Sequence, residues 1–279
     1  MLDQKLTLVL PSHNEADNIE AVVKRALEVL PRVTREHEII VVNDGSADDT
    51  GAIADRLSGS HETVWVVHHP VNRGYGAALT SGFDAATGDA IMFMDSDRQF
   101  DIAEINALLP YVPHYDVVAG YRIARQDPLY RRMYGKMFGL SVMVLFGLRV
   151  RDIDCAFKIV RAEMLQKIDL TTPGALINTE MLVKLKRRGA TIAQVGVHHY
   201  PRHAGESSGG SPRVVFRAIG ETARLWLRLR RESAAETAGA STNDTVQPHG
   251  TLVQVILSLL AAVAGLAWWR RRRARRRSG

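Results

Sequence analysis

Two carboxylates separated by one residue, Asp95 and Asp97, follow the apolar run Ala90–Met94 and precede Arg98 and Gln99. At a strand end, carboxylates at this spacing can reach one hard divalent cation, with phosphate oxygens filling its remaining positions. Gln99 continues the alternation and could add a third oxygen. An isolated pair of this kind is more often a solvated turn, and the strand before it is what favours the metal reading. Asp44 ends a second apolar run, Ile39 to Val42, where a carboxylate can accept a hydrogen bond from a nucleobase N–H. Followed by Gly45 and Ser46, it also has the composition of a turn that leads into a helix. Two weaker segments accompany these. Pro11-Ser-His-Asn-Glu15 reads alone as a helix entry, and Asn72-Arg-Gly-Tyr-Gly76 offers small residues where a ligand could approach the backbone.

Such residues act together only if the chain holds them together. Lys5 to Leu10 has the pattern of a buried strand ending at Pro11. Ile19, Val22, Val23, Ala26, Leu27 and Leu30 then recur at helical spacing over residues 17–30. A strand over 38–42, a helix over 50–57 and a strand over 64–67 follow. The glycine-rich turn opens a helix that runs to Thr87, before the strand at 90–94. This alternation predicts an α/β fold with a mostly parallel sheet flanked by helices. Ligands gather at the carboxyl ends of such strands, where the clusters 12–15, 43–46 and 95–97 all fall.

Taken in order, these segments resemble the family 2 glycosyltransferases, which have the GT-A fold, a Rossmann-like nucleotide-sugar-binding domain. Within them the likeness is to the dolichol- and polyprenyl-phosphate mannose synthases. It is carried by Leu8 to Glu15, Glu38 to Ser46, Asn72 to Gly76, Met94 to Gln99, Asp152 to Lys158, Glu180 to Lys184 and Arg202 to Ser207. The resemblance implies that Pro11, His13, Glu15, Val42 and Asp44 hold the nucleotide and that Ser96 touches the nucleotide-sugar. It implies that Asp95, Asp97 and Gln99 bind Mg²⁺ or Mn²⁺, and that Arg122, Arg131 and Arg202 meet donor or acceptor phosphates. The chain departs from the family pattern at Asn43 (usually Asp), His13 (often Tyr), Gly135 (Ser) and Ser208 (Lys). The implied reaction is inverting transfer of mannose or another hexose from a GDP- or UDP-linked donor to polyprenyl phosphate. An acceptor that is already anionic needs no strong base; a hydroxyl acceptor would need one, and Asp154 and Glu180 are the candidates. A saccharide or glycolipid acceptor and a catalytically inactive membrane scaffold are the alternatives, and an intact Asp95, Asp97 and Gln99 set argues against the scaffold.

Composition bounds the rest. The 279 residues are 46% hydrophobic and 24% charged, as in a folded chain with a real core. The net charge of +6 belongs to one end: seven arginines lie in 270–279, and without them 29 basic residues face 30 acidic ones. The catalytic region, expected over 1–230, is therefore no polycation, and nucleic acid is not an expected partner. No signal peptide is read at the N-terminus. Residues 130–149 fit a core helix or an interfacial one, while 212–231 join Trp226 and other apolar residues to six arginines, favouring membrane-surface contact. A small, polar linker at 232–250 leads to 251–269, nineteen uncharged residues. As a helix these reach ~28 Å, close to the ~30 Å of a hydrocarbon core. They are read as a membrane anchor, with the Arg-rich tail on lipid headgroups. The positive-inside rule places that tail in the cytoplasm, yet the donor also requires the catalytic region there. The expectation is a cell-membrane protein with its catalytic region facing the cytoplasm. His198, His199 and His203 lack acidic or thiol company for a metal site, and the single cysteine, Cys155, reads as packed.

Overall fold

The computed structural model describes residues 2–123, 129–201 and 220–232, with 129–137 described as helical backbone only. Its first half alternates β1 (Leu6–Ser12), α1 (Ala16–Val33), β2 (His37–Asp44), α2 (Thr50–Ser60), β3 (Val64–His69), α3 (Tyr75–Ala85) and β4 (Ala90–Met94). Then come a short α4 (Ile105–Leu108), β5 (Val117–Ile123) and α5 (Leu129–Phe146). They are followed by β6 (Phe157–Arg161), α6 (Ala162–Leu165), α7 (Ile177–Arg187) and β7 (Ile192–His198).

The seven strands form one sheet in the order β3-β2-β1-β4-β6-β5-β7. Every residue of β1 is buried, as its unbroken apolar run requires of a strand covered on both faces. It pairs parallel with β2 on one side and β4 on the other. The chain thus winds outward from β1 to β3 and returns to β1's other edge with β4. That reversal opens a crevice at the carboxyl ends of β1 and β4. Beyond β4 the sheet differs from the mostly parallel one expected, since β6 runs antiparallel to both β4 and β5. Strand direction depends on where the preceding connection returns the chain, which the composition of Phe157–Arg161 does not encode.

Helix α1 buries Ile19, Val22, Val23, Ala26 and Leu30 against the sheet, the stripe its periodicity predicts. At the amino-terminal edge, away from the crevice, buried Glu38 ties three segments together. It accepts from Thr7 Oγ1 (2.6 Å), Thr87 N (2.7 Å) and Thr87 Oγ1 (2.8 Å), with Lys5 Nζ at 3.1 Å.

Two compact units divide the chain: Met1–Gly139 with Leu148–Glu206, and Leu140–Gly147 with Ser207–Gly279. Within the second, Trp226 Nε1 donates to the Leu145 carbonyl (3.0 Å) and Arg230 lies 4.6 Å from the Trp226 ring. Trp226 is therefore tied down, and among the described residues of this unit the exposed large apolar side chains are Leu140, Met143 and Leu227. Among the described residues no helix is long and apolar enough to cross a membrane. The expected linker, anchor and tail, 233–279, lie outside them.

Glu38→Ala leaves Thr7, Thr87 and Lys5 without their acceptor and is expected to destabilise the protein by roughly 2–4 kcal/mol. Chemical denaturation measures the loss. Because the network is remote from the crevice, transfer activity per folded molecule should be unchanged.

Candidate active site

The register of the parallel strands brings the three polar clusters together. Pro11 and Ser12 lie beside Val42 and Asn43 across the β1–β2 pair, while β4 delivers Asp95 on the other side of β1. Ser96, 2% exposed, closes the seam: its Oγ donates to the Pro11 carbonyl (3.0 Å) and lies 2.8 Å from Ser12 Oγ. Its hydroxyl clips β4 to β1. Val42 is fully buried against Gly82 of α3, so only its backbone could meet a ligand.

Asp95 is partly buried and Asp97 is 4% exposed. Burial, reinforced by the negative charge of Asp97, pushes the Asp95 carboxyl up to about 7, against the pull of Tyr75, Arg122 and Lys158. Two acids that strain against each other in a crevice suit a divalent cation, which removes the repulsion. Among the described residues no three His, Cys, Asp or Glu side chains converge, so the protein would supply two carboxylates and a ligand the remaining oxygens. Gln99 is only partly available as the expected third ligand. Its Nε2 donates to the Tyr200 carbonyl (3.2 Å) and its own carbonyl accepts from Tyr200 N (2.8 Å), anchoring the chain after β7.

Asp44 ends β2, as expected, and its carboxylate bonds to the following turn. Its Oδ1 accepts from Arg73 N (2.8 Å) and lies 2.6 Å from His69 Nδ1, while Oδ2 accepts from Gly74 N (2.8 Å). The carboxylate is 3% exposed and shapes the glycine-rich turn. His13 Nδ1 sits 2.9 Å from the Asp44 carbonyl, and Glu15 accepts from Asn18 Nδ2 (2.7 Å) at the entry of α1. Gly74 and Gly76 admit a close backbone approach, but the backbone is the protein's own. The Pro173 carbonyl accepts from Gly76 N (2.7 Å) and Ala77 N (3.3 Å), and a side chain on Gly76 would strike the Thr172 carbonyl.

That loop is held by Glu180, fully buried on α7. Its carboxylate accepts from Thr172 N (2.8 Å), Thr171 N (3.3 Å) and Thr171 Oγ1 (3.1 Å), with Lys184 Nζ at 3.1 Å. A carboxylate so engaged and so buried is no general base, which removes Glu180 from the two candidates; Asp154 is exposed. Arg122, expected on a phosphate, is gripped by Asp152 through Nε (2.7 Å), Nη2 (2.8 Å) and its backbone N (3.1 Å). Although burial works against its charge, Asp152, with Asp154 behind it, holds the guanidinium firmly protonated. Arg131 and Arg202 lie outside the described side chains, as do Gly135, His203 and Ser208. His198 is held by Glu104 (2.7 Å) and His199 packs edge-on against Phe100. Burial pushes the Cys155 thiol up to about 12, an inert packed group. Sequence reasoning did not single out Asp152, Tyr75 or Lys158; a lysine inside the apolar run 157–160 was the one available signal.

Residues 7–186 match the family model described as glycosyl transferase family 2. The chain belongs to this family. Glycosyltransferase AglD of Haloferax volcanii is 28% identical over 274 residues, covering 94% of this chain and 41% of that protein. The undecaprenyl-phosphate 4-deoxy-4-formamido-L-arabinose transferase of Yersinia enterocolitica is 28% identical over 207 residues, 73% of this chain and 62% of its own length. The chain thus spans less than two thirds of these family 2 relatives. Among solved structures, glucosyl-3-phosphoglycerate synthase from Mycobacterium tuberculosis, with Mn²⁺, UDP and phosphoglyceric acid, shares the fold. Its TM-score is 0.61 at 23% identity, over 80% of this chain and 78% of that one.

An acid whose folded pKa is raised from 3.8 to about 7 stabilises the fold below the lower value and loses that contribution as pH rises through the higher. In chelator, Asp95→Asn is expected to raise Tm relative to wild type at pH 8 but not at pH 4. Mn²⁺ at pH 8 should raise the wild-type Tm and leave the variant's nearly unchanged. The same Tm difference at both pH values would show that Asp95 is not strained.

Proposed function

We propose that the protein is an inverting, metal-dependent glycosyltransferase that moves a sugar from a nucleotide-sugar to polyprenyl phosphate at the membrane. The observation that carries this reading is the Asp95–Asp97 pair at the crevice between β1 and β4. Named relatives that act on undecaprenyl phosphate, and a fold neighbour that binds Mn²⁺ and UDP, support it. The donor is GDP- or UDP-linked, and the transferred group is mannose or another hexose.

Asp95 and Asp97 would hold Mg²⁺ or Mn²⁺, whose positive charge would stabilise the departing nucleoside diphosphate. A phosphate oxygen of the acceptor attacks the anomeric carbon as the bond to the diphosphate breaks, inverting the centre. Asp44 and Gly74 fix the turn beside the nucleotide, with Pro11, His13 and Glu15 lining the same strand ends. Arg122, oriented by Asp152, places a permanent positive charge near Asp95. Arg131 and Arg202 complete the phosphate contacts in this reading. A saccharide hydroxyl is the second acceptor class, with Asp154 as its base.

Membrane contact is proposed through the second unit, where Leu140, Met143 and Leu227 are exposed and Arg224, Arg230 and Arg231 also face solvent. An anchor at 251–269 would add to it, with the catalytic region on the cytoplasmic side where the donor is made.

The full chain in membranes, given labelled UDP- and GDP-sugars, polyprenyl phosphate and Mn²⁺ or Mg²⁺, should yield acid-labile label in the organic phase. Asp97→Ala should lower it by roughly a hundredfold or more. Label transferred only to a water-soluble saccharide would favour the hydroxyl acceptor, and undiminished transfer by the variant would overturn the site.

A further inference from the structure

Lys158, in the middle of β6, is fully buried. Its ammonium donates to the carbonyls of Ile153 (3.0 Å) and Cys155 and, at 3.4 Å, to Asn178 Oδ1; the Phe93 ring centre is 5.4 Å away. Each of its three protons therefore has an oxygen to point at. Asn178, 3% exposed in the first turn of α7, lies in turn against the phenol of Tyr75. Tyr75 opens α3, and its hydroxyl also lies against Asp95.

Unlike the Lys158 ammonium and the Asn178 amide, this hydroxyl makes no hydrogen bond. Its oxygen is buried, close enough to Asp95 and Asn178 to feel both, and yet bonded to neither. A buried orphan hydroxyl costs stability, and phenylalanine would fill the same space without that cost. Something other than the resting fold accounts for it. The neighbour that changes on ligand binding is Asp95: a carboxylate that takes up a cation with one oxygen is steadied when the other accepts from an outer donor. Tyr75 carries a buried donor with no partner beside Asp95.

We propose that Tyr75 is a positioning residue for Asp95: its hydroxyl, backed by Asn178 and Lys158, donates to the carboxylate when the cation and the donor diphosphate bind. The inference rests on the reading of Asp95 and Asp97 as that site. Lys158 and Asn178 set the phenol's place, and the phenol sets the carboxylate's.

The test uses the full chain with Tyr75→Phe and Asp97→Ala beside wild type. Mn²⁺ is titrated calorimetrically with UDP and, separately, with GDP present, and Tm is recorded in chelator. Tyr75→Phe should keep or slightly raise the metal-free Tm, while Mn²⁺ affinity falls by roughly tenfold or more. Wild-type Mn²⁺ affinity in Tyr75→Phe overturns the proposal. So does a fall in metal-free Tm that accompanies the loss of affinity, because the hydroxyl would then be structural. If wild type binds no Mn²⁺ with either nucleotide, or Asp97→Ala binds it equally well, the reading of the carboxylate pair fails and takes this proposal with it.

Discussion

The constraint on which the crevice depends is the repulsion between Asp95 and Asp97. Burial and this repulsion together hold Asp95 near neutral protonation, and the surrounding structure offsets only part of the strain. Two cations lie close by, and neither pairs directly with the acids. Arg122 is bonded to Asp152, and Lys158 to backbone carbonyls and Asn178. Had either been placed as a direct partner, the carboxylates would be neutralised inside the protein and a metal would have to displace it. Cations held at one remove lower the electrostatic penalty on Asp95 without bonding to it.

A second pair of acids has the opposite task. Asp44 and Glu180 are as buried as Asp97, but each carboxylate is bonded to backbone N–H groups, Asp44 to Arg73 and Gly74, Glu180 to Thr171 and Thr172. They act on the same place from two sides. Asp44 fixes the turn that enters α3, and Glu180 fixes the loop whose Pro173 carbonyl caps the first N–H groups of α3. Gly45, at φ +62° against Val71 and Asn72, lets β2's end pack onto that turn without a side chain between them. Tyr75 therefore begins a helix held by two buried carboxylates, and the floor beneath Asp95 is rigid.

How much of this was legible in the sequence follows from range. The alternation from β1 to β4 and the placing of Asp95 and Asp97 at a strand end depend on local pattern, and the structure has both. The roles of Asp44, Ser96 and Glu180 depend on groups tens of residues away: Ser96 meets Pro11 and Ser12, and Glu180 meets a loop that itself caps α3. No local spacing encodes such a partner. A resemblance carries a residue's identity at a motif position, but not whether its side chain faces a ligand or its own backbone. The antiparallel β6 escaped for the same reason, and Lys158 with it, since a lysine in a strand usually marks a solvent face. Here both faces of the strand are covered, and its ammonium turns to carbonyls instead.

The inventory of bases bears on the acceptor. A hydroxyl nucleophile needs a side chain to take its proton at the moment of attack. Glu180 is saturated by four donors, the Cys155 thiol is held neutral by burial, and His198 is paired with Glu104. Asp154 remains, exposed to solvent and close enough to Arg122 for the guanidinium to feel its charge. Attack by a phosphate oxygen makes no such demand: the nucleophile arrives charged, and the site has only to orient it and stabilise the leaving diphosphate. With Glu180 committed to its loop, the fixed charges of Arg122 and the Asp95–Asp97 pair favour that chemistry in the proposed reading.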